Sequence, residues 1–147
     1  VGYKLTVKGD FAGLSAGVRA GLAEHVKATA GRVAARAVDE IQGGEKSGRL
    51  YRRGKKGGEQ RVHQASAPGE APATDEGTLA GSVLPVHEAG SLEARVDVSA
   101  DHAADLELGN SRIEPRPFLS PAVEAERPGF VAGVGDAINR AAQSRGS

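Results

Sequence analysis

Four histidines, His25, His63, His87 and His102, are the groups in this sequence best suited to bind a metal or move a proton near neutral pH. No two stand three or four residues apart, the spacing that puts ligands on one helix face, and no His-Glu-x-x-His occurs. The run Asp101-His102-Ala103-Ala104-Asp105 gathers two carboxylates and an imidazole, but too irregularly for a single face, and it reads as a solvated turn. Ser47, Ser66, Ser82 and Ser120 lack the Gly-x-Ser-x-Gly elbow that exposes a nucleophilic serine. The Gly-Lys-Lys-Gly-Gly run at 54–58 lacks the Gly-Lys-Ser/Thr ending of a phosphate-binding loop. Glu107 lies in an apolar segment, where burial raises a carboxyl pKa, yet a lone carboxylate there is expected to pair with an arginine such as Arg112 or Arg116. With no cysteine there is no disulfide and no thiolate zinc site. No catalytic group, metal site or cofactor is expected, and the chain is not read as an enzyme.

The sequence is better equipped for docking. Its 147 residues suit one domain, 1–147, with 45–75 as a projecting arm and proline-rich loop. Aromatic content is 3%, with no Trp and no Met, so the core must be built from Val, Leu, Ile and Ala. Such side chains bury little area each at ~25 cal/mol per Å², which leaves apolar surface to be covered by other subunits. Nineteen basic and nineteen acidic residues cancel, so no global field favours nucleic acid or an anionic membrane. No apolar run approaches the ~18 residues of a membrane helix, and Val1-Gly2-Tyr3-Lys4-Leu5 lacks a signal peptide's apolar stretch. A soluble protein made in the cytoplasm is expected, with no membrane partner.

The elements that would position these groups follow from periodicity. Tyr3, Leu5 and Val7 alternate with polar residues, predicting a half-buried strand stopped by Gly9. Asp10 is the expected cap of a long amphipathic helix with the stripe Leu14, Val18, Leu22, Val26, Val33, Ala37 and Ile41, ended by Gly43-Gly44. Gly13, Gly17 and Gly21 fall on one line of it, either a low-propensity first turn or a close helix–helix contact. Residues 45–63 carry seven basic side chains against Glu45 and Glu59, and read as a hairpin with a glycine-rich tip. Its candidate interface residues are Arg49, Tyr51, Arg52, Arg53, Lys55 and Lys56. They either keep an arm solvated, grip an acidic neighbour or face DNA.

Ala67 to Thr74 is too proline-rich for a regular element and is held in place best by something packed on it. Asp75 caps a short helix. Ser82–Glu88 and Leu92–Val98 form a hairpin turning at Ala89-Gly90-Ser91, and a short apolar segment, drawn as a strand, ends at Gly109. The loop Pro115-Arg116-Pro117-Phe118 turns a large aromatic inward, and Ser120-Pro121 starts a final helix by a capping hydroxyl with proline at the first position. Pro128 kinks or restarts it, and Phe130, Val134 and Ile138 form its apolar stripe. The expected class is α+β: a small antiparallel sheet with a long N-terminal and a C-terminal helix packed on it, plus an extended basic hairpin arm.

Three segments then carry a resemblance: Gly48-Arg49-Leu50-Tyr51-Arg52-Arg53-Gly54, Ala65 through Leu79 with its Ala67-Pro68-Gly69-Glu70-Ala71-Pro72, and Leu106-Glu107-Leu108-Gly109-Asn110 through Arg116-Pro117-Phe118-Leu119-Ser120-Pro121-Ala122. In this order they resemble the small head–tail connector, or tail-completion, proteins of the neck of long-tailed bacteriophages. Where family members commonly read Glu-Phe-Gly-Thr, this chain has Glu107-Leu108-Gly109-Asn110; leucine keeps an apolar plug and asparagine can still make the turn. The resemblance implies a non-enzymatic virion subunit, made in the host cytoplasm and placed in the neck. It would form a homo-oligomeric ring that meets portal, adaptor or stopper on one side and tail terminator or tail tube on the other, with DNA possible in the lumen. The arm residues would be interface or lumen residues, and Glu107, Gly109, Arg116, Pro117 and Phe118 the structural motif, with Phe118 a buried anchor. A tail terminator ring and a small nucleic-acid-binding module using the basic arm are the alternatives, although Tyr51 is the one aromatic beside the arm for base stacking.

Overall fold

The computed structural model describes residues 1–8, 13–44, 46–54, 58, 61–73 and 77–145. Strand β1 (Gly2–Thr6) leads to the long helix α1 (Ala16–Gly43), then β2 (Leu50–Arg53), β3 (Arg61–Gln64), the single turn α2 (Thr78–Gly81), β4 (Val83–His87), β5 (Glu93–Val98), α3 (Ala103–Leu108) and α4 (Leu119–Arg145). The fold is α+β, with the two long helices packed on a small antiparallel sheet. That sheet runs β1-β5-β4, with Tyr3 opposite Val96 and Pro85 opposite Val96 from the other side. A second, two-stranded sheet is the β2–β3 ribbon.

Strand alternation sends Ala94, Val96 and Val98 inward beneath α1, and Glu93, Arg95 and Asp97 outward. On the outer face Lys4 pairs with Glu93 at 3.2 Å. The α1 stripe that meets the sheet and α4 is Leu22, Ala23, Val26, Thr29, Ala30, Val33, Ala34, Ala37 and Ile41. Eleven of the twenty-one buried apolar residues described are alanines, so the layers approach closely and one large side chain, Phe118, fills the centre. Close approach is sharpest at Gly133 of α4, where a Cβ would lie 2.2 Å from the His25 ring. His25 stacks on Phe130 at 5.6 Å between centroids, and its Nε2 donates to the Phe130 carbonyl at 3.0 Å.

Several sequence expectations need correction. Helix α1 starts at Ser15, not Asp10: the Ser15 hydroxyl accepts from the Val18 N–H at 3.2 Å, while Asp10, like Gly9, lies outside the described residues. Leu14 and Gly13 therefore precede the helix, the glycine row is not a helix line, and a Cβ on Gly21 would meet nothing within 4 Å. The segment before Gly109 is a helix, α3, rather than a strand. Helix α4 continues through Pro128 from Leu119, with Ser120 in its first turn and Pro121 at the third helical position rather than the first. Its buried face is Leu119, Ala122, Glu126, Ala137 and Ala141, whereas Ile138 is exposed. Asp75 also lies outside the described residues, and α2 begins after Gly77, whose φ is +76°.

Candidate assembly interface

Ribbon β2–β3 places Leu50 opposite Gln64, Tyr51 opposite His63, Arg52 opposite Val62 and Arg53 opposite Arg61. Cross-strand partners share a face, so Leu50, Arg52, Val62 and Gln64 lie on one side and Tyr51 and His63 on the other. Leu50 is 62% exposed and Val62 66%, so their face of the ribbon is uncovered, while on the other face Tyr51 is 47% exposed and His63 half-buried. Arg49 sets its guanidinium 5.5 Å from the centre of the Tyr51 ring. Lys55 and Lys56 lie outside the described residues.

The root of the ribbon is as tightly bound as its strands are bare. The Gly48 N–H donates to the Ala65 carbonyl at 2.9 Å, and Ala65 N–H to the Arg49 carbonyl at 3.0 Å. A Cβ on Gly48 would sit 2.6 Å from the carbonyl oxygens of Ala65 and Ser66, so glycine is required there. The Glu70 carboxylate clamps both ends of the arm: it accepts from the Ser47 N–H at 2.9 Å, the Ala67 N–H at 2.8 Å and the Ser47 hydroxyl. Lys46 ties the end of α1 to the segment that leaves the arm, donating to the carbonyls of Glu40 at 3.1 Å and Ala71 at 2.7 Å. Burial lowers its pKa, against the raising fields of Glu70 and Glu40. The proline-rich segment supplies the geometry: Pro68-Gly69, with Gly69 at φ +83° and Glu70 N–H donating to the Ala67 carbonyl at 3.1 Å, makes a tight turn that aims Glu70 back at Ser47.

A third segment locks to the root from the far side. Gly69 N–H donates to the Pro115 carbonyl at 3.0 Å, and Arg116 Nη1 to the Ser66 hydroxyl at 3.1 Å, while the buried Arg116 Nε has no hydrogen-bond partner among the described residues. Gly109, at φ +73°, admits Pro115, whose Cδ would lie 2.8 Å from an added Cβ. Asn110 holds the next turn, its Oδ1 accepting from Arg112 N–H at 2.8 Å and Ile113 N–H at 3.0 Å. Pro117 is half-buried and Phe118 fully buried.

Glu107 does not pair with Arg112 or Arg116. Its carboxylate, 3% exposed, caps α4 instead, accepting from the N–H groups of Phe118 at 2.9 Å, Leu119 at 3.0 Å and Ser120 at 2.7 Å, and from the Ser120 hydroxyl. Ser120 is thus a donor to the cap rather than the cap itself. Burial pushes the Glu107 pKa up, but these four hydrogen bonds outweigh it and the net shift is downward.

A cleft of about 250 Å³ opens between β1, α1 and α4, lined by Tyr3, Leu5, Val33, Val123, Glu126 and Phe130. Its carboxylate is already engaged: Glu126 accepts from Arg36 Nε at 2.5 Å and Arg32 Nε at 2.9 Å, and those bonds hold its pKa below the usual carboxylate range. Among the described residues no three His, Cys, Asp or Glu side chains converge on a metal position. Nor is any described helix long and apolar enough to cross a membrane. No family model, curated protein or solved structure matches the chain.

Sequence reasoning missed the Glu70 clamp, the Lys46 crossing and the Glu126–Arg32–Arg36 cluster. A Pro-Gly turn followed by an acid was the available signal for the first; the third joins residues some ninety positions apart and leaves no local trace.

The clamp has a measurable consequence. Hydrogen bonds from the Ser47 hydroxyl, the Ala67 N–H and the Ser47 N–H lower the Glu70 pKa to about 2. A depressed carboxyl pKa stabilises above the unfolded value and is lost as pH falls through the folded one. The root should therefore stay closed at pH 4 and open only as pH approaches 2. Amide hydrogen exchange at Ser47 and Ala67 reads this directly, and Glu70→Ala should speed both at pH 7 with little change in melting temperature.

Proposed function

We propose that this chain is a structural subunit of a phage virion neck, forming an oligomeric ring that joins head to tail. The observation that carries the reading is the contrast within the arm: a tightly hydrogen-bonded root and a two-stranded ribbon with one apolar face, Leu50 and Val62, in the open. A lone two-stranded hairpin is marginal in water, and aliphatic side chains gain stability only when covered. Such a ribbon suits a protein partner better than a phosphate backbone, which has nothing to offer leucine or valine. The three segments behind the neck-protein resemblance also meet in space, at Gly48–Ala65, Gly69–Pro115 and Ser66–Arg116. A shared pattern built around one anchoring point supports a common way of presenting the arm.

Assembly through the β4 edge of the main sheet is disfavoured. Ser99 N–H donates to the Ser82 carbonyl, and ladder alternation from that pair turns the Pro85 nitrogen toward the free edge of β4, where it has no proton to donate. Deleting Arg52–Lys56 should leave heads and tails unjoined in the phage that encodes the chain, while the isolated domain keeps its melting temperature. Normal virion yield from that deletion would exclude an arm-dependent neck role.

A further inference from the structure

We propose that the Leu50–Arg52–Val62 face of the arm docks on the outward face of α3 in a second copy of this chain; the contact rests on the ring reading above and specifies its subunit joint. The first support is charge. Residues 45–63 hold seven basic and two acidic residues, a surplus of five positive charges. The rest of the chain holds twelve basic and seventeen acidic residues, a deficit of the same size. A chain neutral as a whole is thus divided into a basic arm and an acidic body, a distribution that favours arm-to-body contact between copies and disfavours arm-to-arm and body-to-body contact.

The second support is the match of side chains. Ala104, Asp105 and Leu108 share the outward side of α3, with Asp101 in the turn before it, and all four are exposed. Leu108 is 67% exposed, although it sits beside Glu107, which is buried. On the arm, Arg52 lies directly across from Val62, with Leu50 two residues along the same face. Seating Leu50 and Val62 over Leu108 and Ala104 puts Arg52 within the reach of Asp101 and Asp105. The two surfaces differ in chemistry, each copy offers both, and neither is covered within its own chain. A contact of that kind is heterologous and closes into a ring when the rotation between copies allows. The rigid root keeps the ribbon presented outward, which lowers the ordering cost of docking.

The test uses the full chain and sedimentation velocity across a concentration series at low and at moderate salt. Wild type should self-associate, more weakly as salt rises. Arg52→Glu should weaken association by roughly tenfold or more, as should Asp101→Arg with Asp105→Arg. Mixing the two variant proteins should restore it, because every joint in an alternating assembly then pairs opposite charges. Leu108→Asp, which leaves the arm untouched, should weaken association independently, and unchanged melting temperatures will show that each variant is folded. Variants that assemble like wild type, or that fail to rescue one another, overturn the contact. A wild type that stays monomeric overturns it too, yet leaves the neck reading standing if arm deletion still blocks head–tail joining. Self-association with normal virion yield from the arm deletion does the reverse.

Discussion

Phe118→Ala should lower stability by about 3–5 kcal/mol, the range for truncating a fully buried aromatic. In a chain of this size that corresponds to a fall in Tm of about 10–15 °C. The expectation is at the high end of core substitutions because of what surrounds the ring. Phe118 is 0% exposed and is the largest side chain of a core cluster in which eight of the other sixteen buried members are alanines. Alanines have no rotamers with which to fill a vacated space, so the cavity persists and its cost adds to the lost transfer energy. Phe118→Leu, which leaves much of the volume filled, should cost about half as much. Urea unfolding of the three proteins reads the order, and an unchanged midpoint for the alanine variant would show that the ring does not hold the core.

Legibility in the sequence tracked the range of each interaction. Strand and helix periods are local, so β1, the β4–β5 hairpin, the arm ribbon and the body of α1 stood in the pattern of residues. Ser15 was missed because Asp10 is an equally good cap by type, and the choice between them depends on where the chain leaves the sheet. Burial on α4 shifted from Ile138 to Ala137 and Ala141 because α1 lies so near that small side chains take the inside positions. At the arm, the exposed apolar and basic residues were readable, but the root was not: Ser47 meets Glu70 and Ser66 meets Arg116 through turns whose directions are set by Gly48, Gly69 and Gly109. Sequence gave the hairpin its strands and left its orientation to long-range hydrogen bonds.

Glu107 is where that long-range bonding bears most weight, and replacing it should cost about 2–4 kcal/mol. The carboxylate receives the first N–H groups of α4, donors that have no acceptor inside the helix, and its negative charge opposes the positive end of the helix dipole. Glu107→Gln tests charge at nearly constant volume. An amide keeps one acceptor but turns an NH₂ toward backbone donors, so at least one buried N–H loses its partner. Glu107→Ala removes both acceptors and opens a small void, and should be the more damaging. Acid separates this effect from general packing. Because the folded Glu107 pKa lies below its ordinary value, the carboxylate stabilises at and above the usual carboxylate range, and that contribution fades as pH falls through the folded value. The stability gap between wild type and Glu107→Gln should therefore be full at pH 7 and narrow steadily in acid, whereas the Phe118→Ala gap, which involves no proton, should stay nearly constant. A glutamine gap that is flat with pH would assign Glu107 a packing role and remove the ionic cap from α4.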